Sequence, residues 1–133
     1  MAPTLSAKYN NILVKFWNYS FGTAYAKDHK FTESELLTIT PELVYAYSAF
    51  KTYGIPNPGA DDFPTEGRSS SIEFSKKAIS FFMPNRLAHW DVRTKSGNPT
   101  KSVQVNDLIK AVKKAEVRKQ GVASSACRPL TVN

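Results

Sequence analysis

The residues best suited to chemistry are lysines that recur along one segment near the C-terminus. Lys110, Lys113 and Lys114 lie in the run DLIKAVKKAE, where helical spacing places their side chains on the outward side of one helix. A row of ammonium groups suits a polyanion such as a nucleic-acid backbone. The alternative is an ordinary solvated helix face, and charge patterning alone leaves both interpretations open.

The charge of the chain is divided unevenly along its length. Residues 1–66 contain five Lys or Arg and seven Asp or Glu, a balance of −2, whereas residues 67–133 contain thirteen and four, a balance of +9. This asymmetry predicts that the front half mostly packs into the fold, whereas the back half contacts an acidic partner, most simply DNA or RNA.

Other reactive residue types do not form a recognisable catalytic set. His29 and His89 are far apart and have no cysteine cluster near them, so no zinc site or other metal site is predicted. Cys127 is the only cysteine, which excludes a disulfide framework. The serines of 69–71 lack a His/Asp partner set, and no Gly-Lys-Ser/Thr phosphate loop occurs. We therefore expect no enzymatic activity and no cofactor.

The elements that must position the lysines are helices. Thr4 is a candidate cap for a first helix that runs to about Phe21 and stops at Gly22. Residues 22–31 have no period and are predicted to form a loop. The predicted core stripe of the first helix is Leu5, Tyr9, Ile12, Leu13, Phe16 and Trp17.

Two capping signals follow the loop. The run Thr32-Glu33-Ser34-Glu35 matches a capping box, which predicts a short helical turn through Leu37. Thr40 and Pro41 then begin a longer helix that Gly54 ends. Its predicted buried stripe is Leu43, Val44, Tyr47 and Phe50.

Residues 54–71 are rich in Pro, Gly, Ser and Asp and connect two helices. Ser69, Ser70 or Ser71 is predicted to cap the next helix, which Pro84 ends. Apolar residues cover most of its circumference, which predicts the central helix of the bundle. These are Ile72, Phe74, Ala78, Ile79, Phe81, Phe82 and Met83, and the narrow polar strip is Glu73, Lys76, Lys77 and Ser80.

The last helix follows the turn Gly97-Asn98-Pro99, with Thr100 or Ser102 as its cap and Gly121 as its stop. Its apolar stripe is Val105, Leu108, Ile109, Val112 and Ala115. Residues 85–96 fit a short helix or an extended connection equally well, with Trp90 in the core. The sequence thus predicts an all-α fold, a compact bundle of four main helices plus one or two short ones. Residues 1–121 form the domain and residues 122–133 an exit linker.

The order of these segments resembles the core-binding, SAM-like domain of the tyrosine recombinase or phage integrase family, and most of all Crypton-like elements of protists or algae. The likeness lies in LLTITPELVYAYSAFKTYG (36–54), SSSIEFSKKAISFFMPN (69–85), GNPTKSVQVNDLIKAVKKAE (97–116) and RPLT (128–131). It implies a helical domain that clamps duplex DNA, with self-association on the DNA as a further expectation.

The resemblance also implies which residues meet the DNA. They are Ser70, Lys76, Lys77, Asn85, Arg86, Lys101, Asn106, Lys110, Lys113, Lys114 and Arg118. The family's catalytic domain supplies an Arg, a His-x-x-Arg and a nucleophilic Tyr, and the sequence ends at Asn133, two residues after Thr131. We therefore expect a domain that binds without cutting, either the N-terminal piece of a longer gene product or a truncated copy.

Two other functions remain open from sequence: a helical protein-interaction module, and an RNA-binding bundle. No run of about 18 apolar residues predicts a membrane span, and the N-terminus lacks the layout of a signal peptide. We therefore expect an intracellular and, for a DNA-binding protein, nuclear location.

Overall fold

The computed structural model describes residues 5–59 and 61–127. It contains five helices: α1 (Leu5–Phe21), α2 (Glu33–Leu36), α3 (Pro41–Tyr53), α4 (Ser69–Phe82) and α5 (Val103–Cys127). Within the described residues, extended pairing is limited to two isolated bridges. One joins His89 to Asn98, and the other joins Asp91 to Ser96. The predicted all-α class is confirmed, with four main helices and one short one.

The helices bury one continuous core. α4 packs against α1, α3 and α5, which confirms its predicted central place, and α3 also contacts the other three main helices. The largest fully buried side chains include Leu13 and Phe16 of α1, Ile72 and Ile79 of α4, and Val105 of α5. Burial of these side chains stabilises the fold by about 1.5–3 kcal/mol each.

Most predicted helix boundaries are confirmed by their capping contacts. The Thr32 hydroxyl accepts from the Glu35 amide while the Glu35 carboxylate accepts from the Thr32 amide, which completes the capping box. Thr40 caps α3, with Pro41 at its first position. Gly54 ends α3 at φ +81°, a left-handed conformation that suits glycine. Thr4 lies outside the described residues.

The predicted cap of α4 is wrong. Arg68 occupies the cap position and its side chain makes no capping bond, while Ser69 is already the first helical residue. The free backbone N–H of Ser69 instead donates to the Glu116 carboxylate of α5. Sequence spacing cannot show this bond, because its two partners are 47 residues apart.

The predicted stop at Gly121 is also wrong, since α5 continues through it to Cys127. Glycine is costly within a helix but does not forbid one, and here the helix goes on. The predicted exit segment is therefore helical up to Cys127. The Arg128–Thr131 run lies outside the described residues, and the division of the chain at residue 121 stays a prediction.

Several predicted core side chains are exposed at the surface. Leu5 precedes the first buried residue of α1, Tyr9, by one turn and is exposed. Phe50 of α3 lies on the outer side, stacked on Tyr19. Trp90 is only partly buried. The remaining exceptions are Phe74 and Phe81 of α4. Helical spacing predicts that the whole apolar stripe of a helix is buried. Where the neighbouring helices cover only part of that stripe, the residues at its edge remain exposed.

Three long connectors join the helices: residues 22–32, residues 54–68, of which residue 60 is not described, and residues 84–102. The front connector (residues 22–32) lies against α1, where the Asn18 side chain bonds both the backbone N–H and C=O of Tyr25. The rings of Tyr25 and Phe31 lie against Trp17. The back connector (residues 84–102) is neither a helix nor an extended strand, so both open interpretations of residues 85–96 give way to a series of turns.

Candidate nucleic-acid interface

A groove between α4 and α5 brings together basic side chains of α4 and of the back connector. We define the basic groove by its lining residues, which are Glu73, Lys76, Lys77, Ser80, Thr100, Lys101 and Ile109. Three of these seven side chains are lysines and one is acidic. The groove thus combines the polar strip of α4 with the residues that precede and follow the start of α5.

The contacts across the groove are direct. Lys76 Nζ on α4 donates to Asn106 Oδ1 on α5 at 2.8 Å. Lys113 Nζ on α5 lies 3.1 Å from the Glu73 carboxylate on α4. Both members of this ion pair are about half exposed, so the pair adds less than about 1 kcal/mol to stability. The two helices therefore share one charged surface.

The surroundings of Lys76 disfavour its charge. Burial lowers the pKa of this ammonium, the neighbouring charge of Lys101 lowers it further by repulsion, and Glu73 raises it in part. Among the described residues, three lysines and one carboxylate line the groove, so their formal charge is +2. An anion bound there would relieve this repulsion.

The polar bonds of one buried asparagine fix the back connector at the groove. Asn98 is fully buried, and its Nδ2 donates to Ser80 Oγ at 2.7 Å and to the Arg86 carbonyl at 2.9 Å. Its Oδ1 accepts from the N–H and the hydroxyl of Thr100. The Asn98 carbonyl accepts from the Lys101 amide. These bonds hold the connector to α4 and place the Lys101 backbone at the groove.

Gly97 allows the tight turn beside Asn98. Its φ is +108°, and a Cβ at this position would collide with the carbonyl oxygen of His89. Any other residue would strain the connector here. On the α5 side, the Ser102 hydroxyl accepts from the Val105 amide, which confirms the predicted cap of α5.

The predicted contact residues fall into two groups. Lys76, Lys77, Lys101, Asn106 and Lys113 meet at the groove or bond across it. Lys110 is exposed and follows Asn106 by one turn, which places it on the same side of α5.

The other predicted contact residues lie farther out. At about 100° per residue, Lys114 is turned roughly 100° from Lys113 around α5, and Arg118 roughly 140°. Ser70 is exposed near the start of α4, while Asn85 and Arg86 are exposed just beyond its end. None of these five residues lines the groove.

Sequence reasoning missed the residues that hold the site together. Asn98 was visible only as part of a Gly-Asn-Pro turn, where its bond to the Thr100 N–H is the expected local contact. Glu116 was visible only as one acid in a basic helix. Neither has a local pattern that signals its bonds to α4, because these partners are distant in sequence.

The groove is small, with a cavity volume of about 240 Å³, which is below the usual size of a pocket for a drug-sized ligand. Among the described residues, no three His, Cys, Asp or Glu side chains lie close enough to hold a metal ion. The helices in the described part of the chain include none that is long and apolar enough to cross a membrane. No protein-family model, curated protein or solved structure matches the chain.

Proposed function

We propose that this chain binds nucleic acid, in the first place duplex DNA, through the basic groove and the exposed lysines beside it on α5. The single observation behind the proposal is the meeting of Lys76, Lys77 and Lys101 in one groove, in which Glu73 is the only acidic lining residue among those that the structure describes. Lys113 lies on the facing side and contacts this same Glu73.

The mechanism is charge neutralisation. Phosphates that contact these ammonium groups release condensed counterions, so the affinity should fall steeply as salt rises. Contacts to phosphates fix the position of a protein on DNA and provide little sequence information. Base reading would be left to one or two amides, Asn85 or Asn106, and the Asn106 Oδ1 already accepts a hydrogen bond from Lys76. The binding is therefore weakly specific.

The resemblance to the core-binding domain of tyrosine recombinases supports the choice of duplex DNA. In this proposal the chain clamps one face of a duplex, does not cut it and acts in the nucleus. Duplex binding also suits α5, because Lys110 and Lys114 are exposed one turn apart and extend the charged surface along the helix.

A direct binding experiment tests the proposal. Fluorescence anisotropy with two labelled duplexes of unrelated sequence should show binding near 50 mM salt, a condition at which phosphate contacts are strong. Replacing Lys110, Lys113 and Lys114 by Ala should lower the affinity for both duplexes by a similar factor. Absence of binding at this salt concentration, or a loss confined to one sequence, would contradict the proposed role.

One observation favours a second candidate, a protein-interaction module. Tyr19 of α1 and Phe50 of α3 stack with their ring centroids 4.8 Å apart, and both rings are exposed. Exposed apolar patches of this kind commonly mark protein contacts. The discriminating measurement is a pull-down after nuclease treatment: retained protein partners and no direct DNA binding would favour this candidate over the first.

A further inference from the structure

Two phenyl rings on α4 are exposed, although other side chains of this helix are buried in the core of the fold. Phe74 is 47% exposed and Phe81 is 40% exposed. Both lie against the buried ring of Tyr9 on α1, at centroid distances of 5.9 and 5.3 Å with steep interplanar angles. Such edge-to-face contacts fix the orientation of a ring. We call Phe74 and Phe81 the aromatic pair.

The aromatic pair is continuous with the basic groove. Lys77, which lines the groove, follows Phe74 by three residues and precedes Phe81 by four. Residues three and four apart are neighbours on a helix surface, so Lys77 lies between the two rings. The rings thus adjoin the basic groove at Lys77, while Glu73, the acidic residue of the groove lining, directly precedes Phe74 and pairs with Lys113.

The combination of a positively charged groove and fixed, exposed rings matches the chemistry that holds unpaired nucleic-acid strands. Ammonium groups neutralise the strand's phosphates, and unstacked bases lie on aromatic side chains. A continuous duplex cannot use such rings, because its bases are already stacked and paired. Rings held by packing before binding also lose less conformational entropy when a base arrives.

We propose that the aromatic pair stacks unpaired bases of a strand whose phosphates lie in the basic groove. The two rings are seven residues apart, roughly 10 Å along the helix axis, so each would hold its own base. The inference rests on the proposed function, since the groove must first bind the backbone. It predicts that a duplex with a single-stranded gap binds more tightly than a continuous duplex.

The test compares three labelled probes by anisotropy with the full chain: an oligo(dT) of about 15 nucleotides, an oligo(rU) of the same length, and a duplex. The double variant Phe74→Leu/Phe81→Leu removes the aromatic faces but keeps apolar volume against Tyr9. Its affinity for the unpaired probes should fall about tenfold or more, and its affinity for the duplex should stay within about twofold. The probe with the larger loss identifies the sugar that the site prefers.

The matched control is Phe50→Leu. This ring is 41% exposed, nearly the same as Phe81, but it stacks on Tyr19 and is not part of the basic groove. The control variant should bind all three probes like the wild type. An equal loss in both variants, or no loss in the double variant, would overturn the inference.

A measurement on the unmodified sequence covers the case in which the double variant does not fold. Fluorine NMR of protein labelled with fluorophenylalanine should show the Phe74 and Phe81 signals shifting with oligo(dT) while the Phe50 signal stays in place. Unshifted signals despite saturation by the strand would refute stacking but leave groove binding intact. If no probe binds at all, the proposed function itself fails, so the two failures are distinguishable.

Discussion

The front connector and the back connector are held to the helices in different ways. The front connector lies on α1 through aromatic packing, with Tyr25 and Phe31 against Trp17, and through the side-chain amide of Asn18. Asn18 belongs to α1, and its side chain bonds the backbone of the connector at Tyr25. Apolar burial and these polar bonds together hold the front connector in place.

The back connector has less apolar support. Pro99 is buried and Trp90 is partly buried, but Leu87 and Val92 are 83% and 77% exposed. Its fixed point is a fully buried asparagine within the loop itself. Asn98 bonds to α4 and to its own neighbours, and Lys101 follows three residues later. The comparison teaches that the front connector is held largely by aromatic packing, whereas the back connector depends more on polar bonds, which also position the backbone beside Lys101.

Removing the asparagine that holds each connector should have unequal effects. Asn98→Ala leaves buried partners such as the Thr100 N–H unpaired, so we expect the free energy of unfolding to fall by about 3 kcal/mol. Asn18→Ala should cost about 1 kcal/mol, because its site is partly solvated and the ring contacts remain. Urea denaturation followed by circular dichroism measures both.

The same two variants also separate stability from binding. Because Asn98 fixes the backbone beside Lys101, Asn98→Ala should weaken duplex binding at a temperature where it is still folded, whereas Asn18→Ala should not. Equal losses of stability in the two variants would show that the connectors are held alike, against the comparison drawn here.

A second prediction concerns the bond that caps α4 from α5. Both the N–H and the hydroxyl of Ser69 donate to Glu116 at 2.8 Å. Glu116→Gln removes the charge from these bonds and should lower the free energy of unfolding by about 1 kcal/mol. Asp107→Asn, an exposed acid on the same helix, is the matched control and should change stability little.

The cap also predicts a pH dependence. The bonds from Ser69 lower the pKa of Glu116 below its ordinary value of 4.5. A carboxyl with a lowered folded-state pKa stabilises the fold above its unfolded-state pKa, and this contribution is lost as the pH falls through the folded-state value. Thermal unfolding between neutral and acidic pH should therefore show a smaller acid loss in Glu116→Gln than in the wild type. Parallel curves would rule out this role for the cap.

The smallest expected effect concerns the negative charge of Glu73 in the basic groove. Glu73→Gln removes the carboxylate that pairs with Lys113 and lines the basic groove, so duplex affinity should rise a few-fold while stability changes by less than about 1 kcal/mol. Glu42→Gln makes the same charge change on an exposed acid of α3. Anisotropy should show the gain only for the Glu73 variant; an equal gain in both would mean that net charge alone governs binding.

Much of the fold was predictable because its signals are local. Capping residues such as Thr32 and Thr40 act within one turn, and the buried stripe from Val105 to Val112 follows directly from helical spacing. The rest depends on contacts between distant segments. The cap from Glu116, the bonds of Asn98 and the exposure of Phe81 are set by which helix face a neighbour covers, which a single stretch of sequence does not encode.

The candidate site was predictable in its residue types but not in its geometry. Helical spacing predicts that Lys110 and Lys113 share a side of α5, yet the meeting of Lys76 with Asn106 and Lys101 depends on how α4 and α5 pack. Helical spacing also turns Arg118, a contact that the resemblance implies, well around α5 from Lys113.

The central claim is that nucleic acid binds the basic groove rather than positive charge in general. The most direct test is the salt dependence of duplex affinity for two triple variants with the same charge change. One is Lys77→Ala/Lys110→Ala/Lys113→Ala, and the other replaces three exposed lysines of the front half, Lys8→Ala/Lys15→Ala/Lys30→Ala.

We expect the groove variant to bind more weakly, with a plot of log affinity against log salt that is shallower by about 2–3 units than the wild type. The front variant should keep the wild-type slope. Equal slopes in the two variants, whether both reduced or both unchanged, would contradict the claim that the α4–α5 face is where nucleic acid binds.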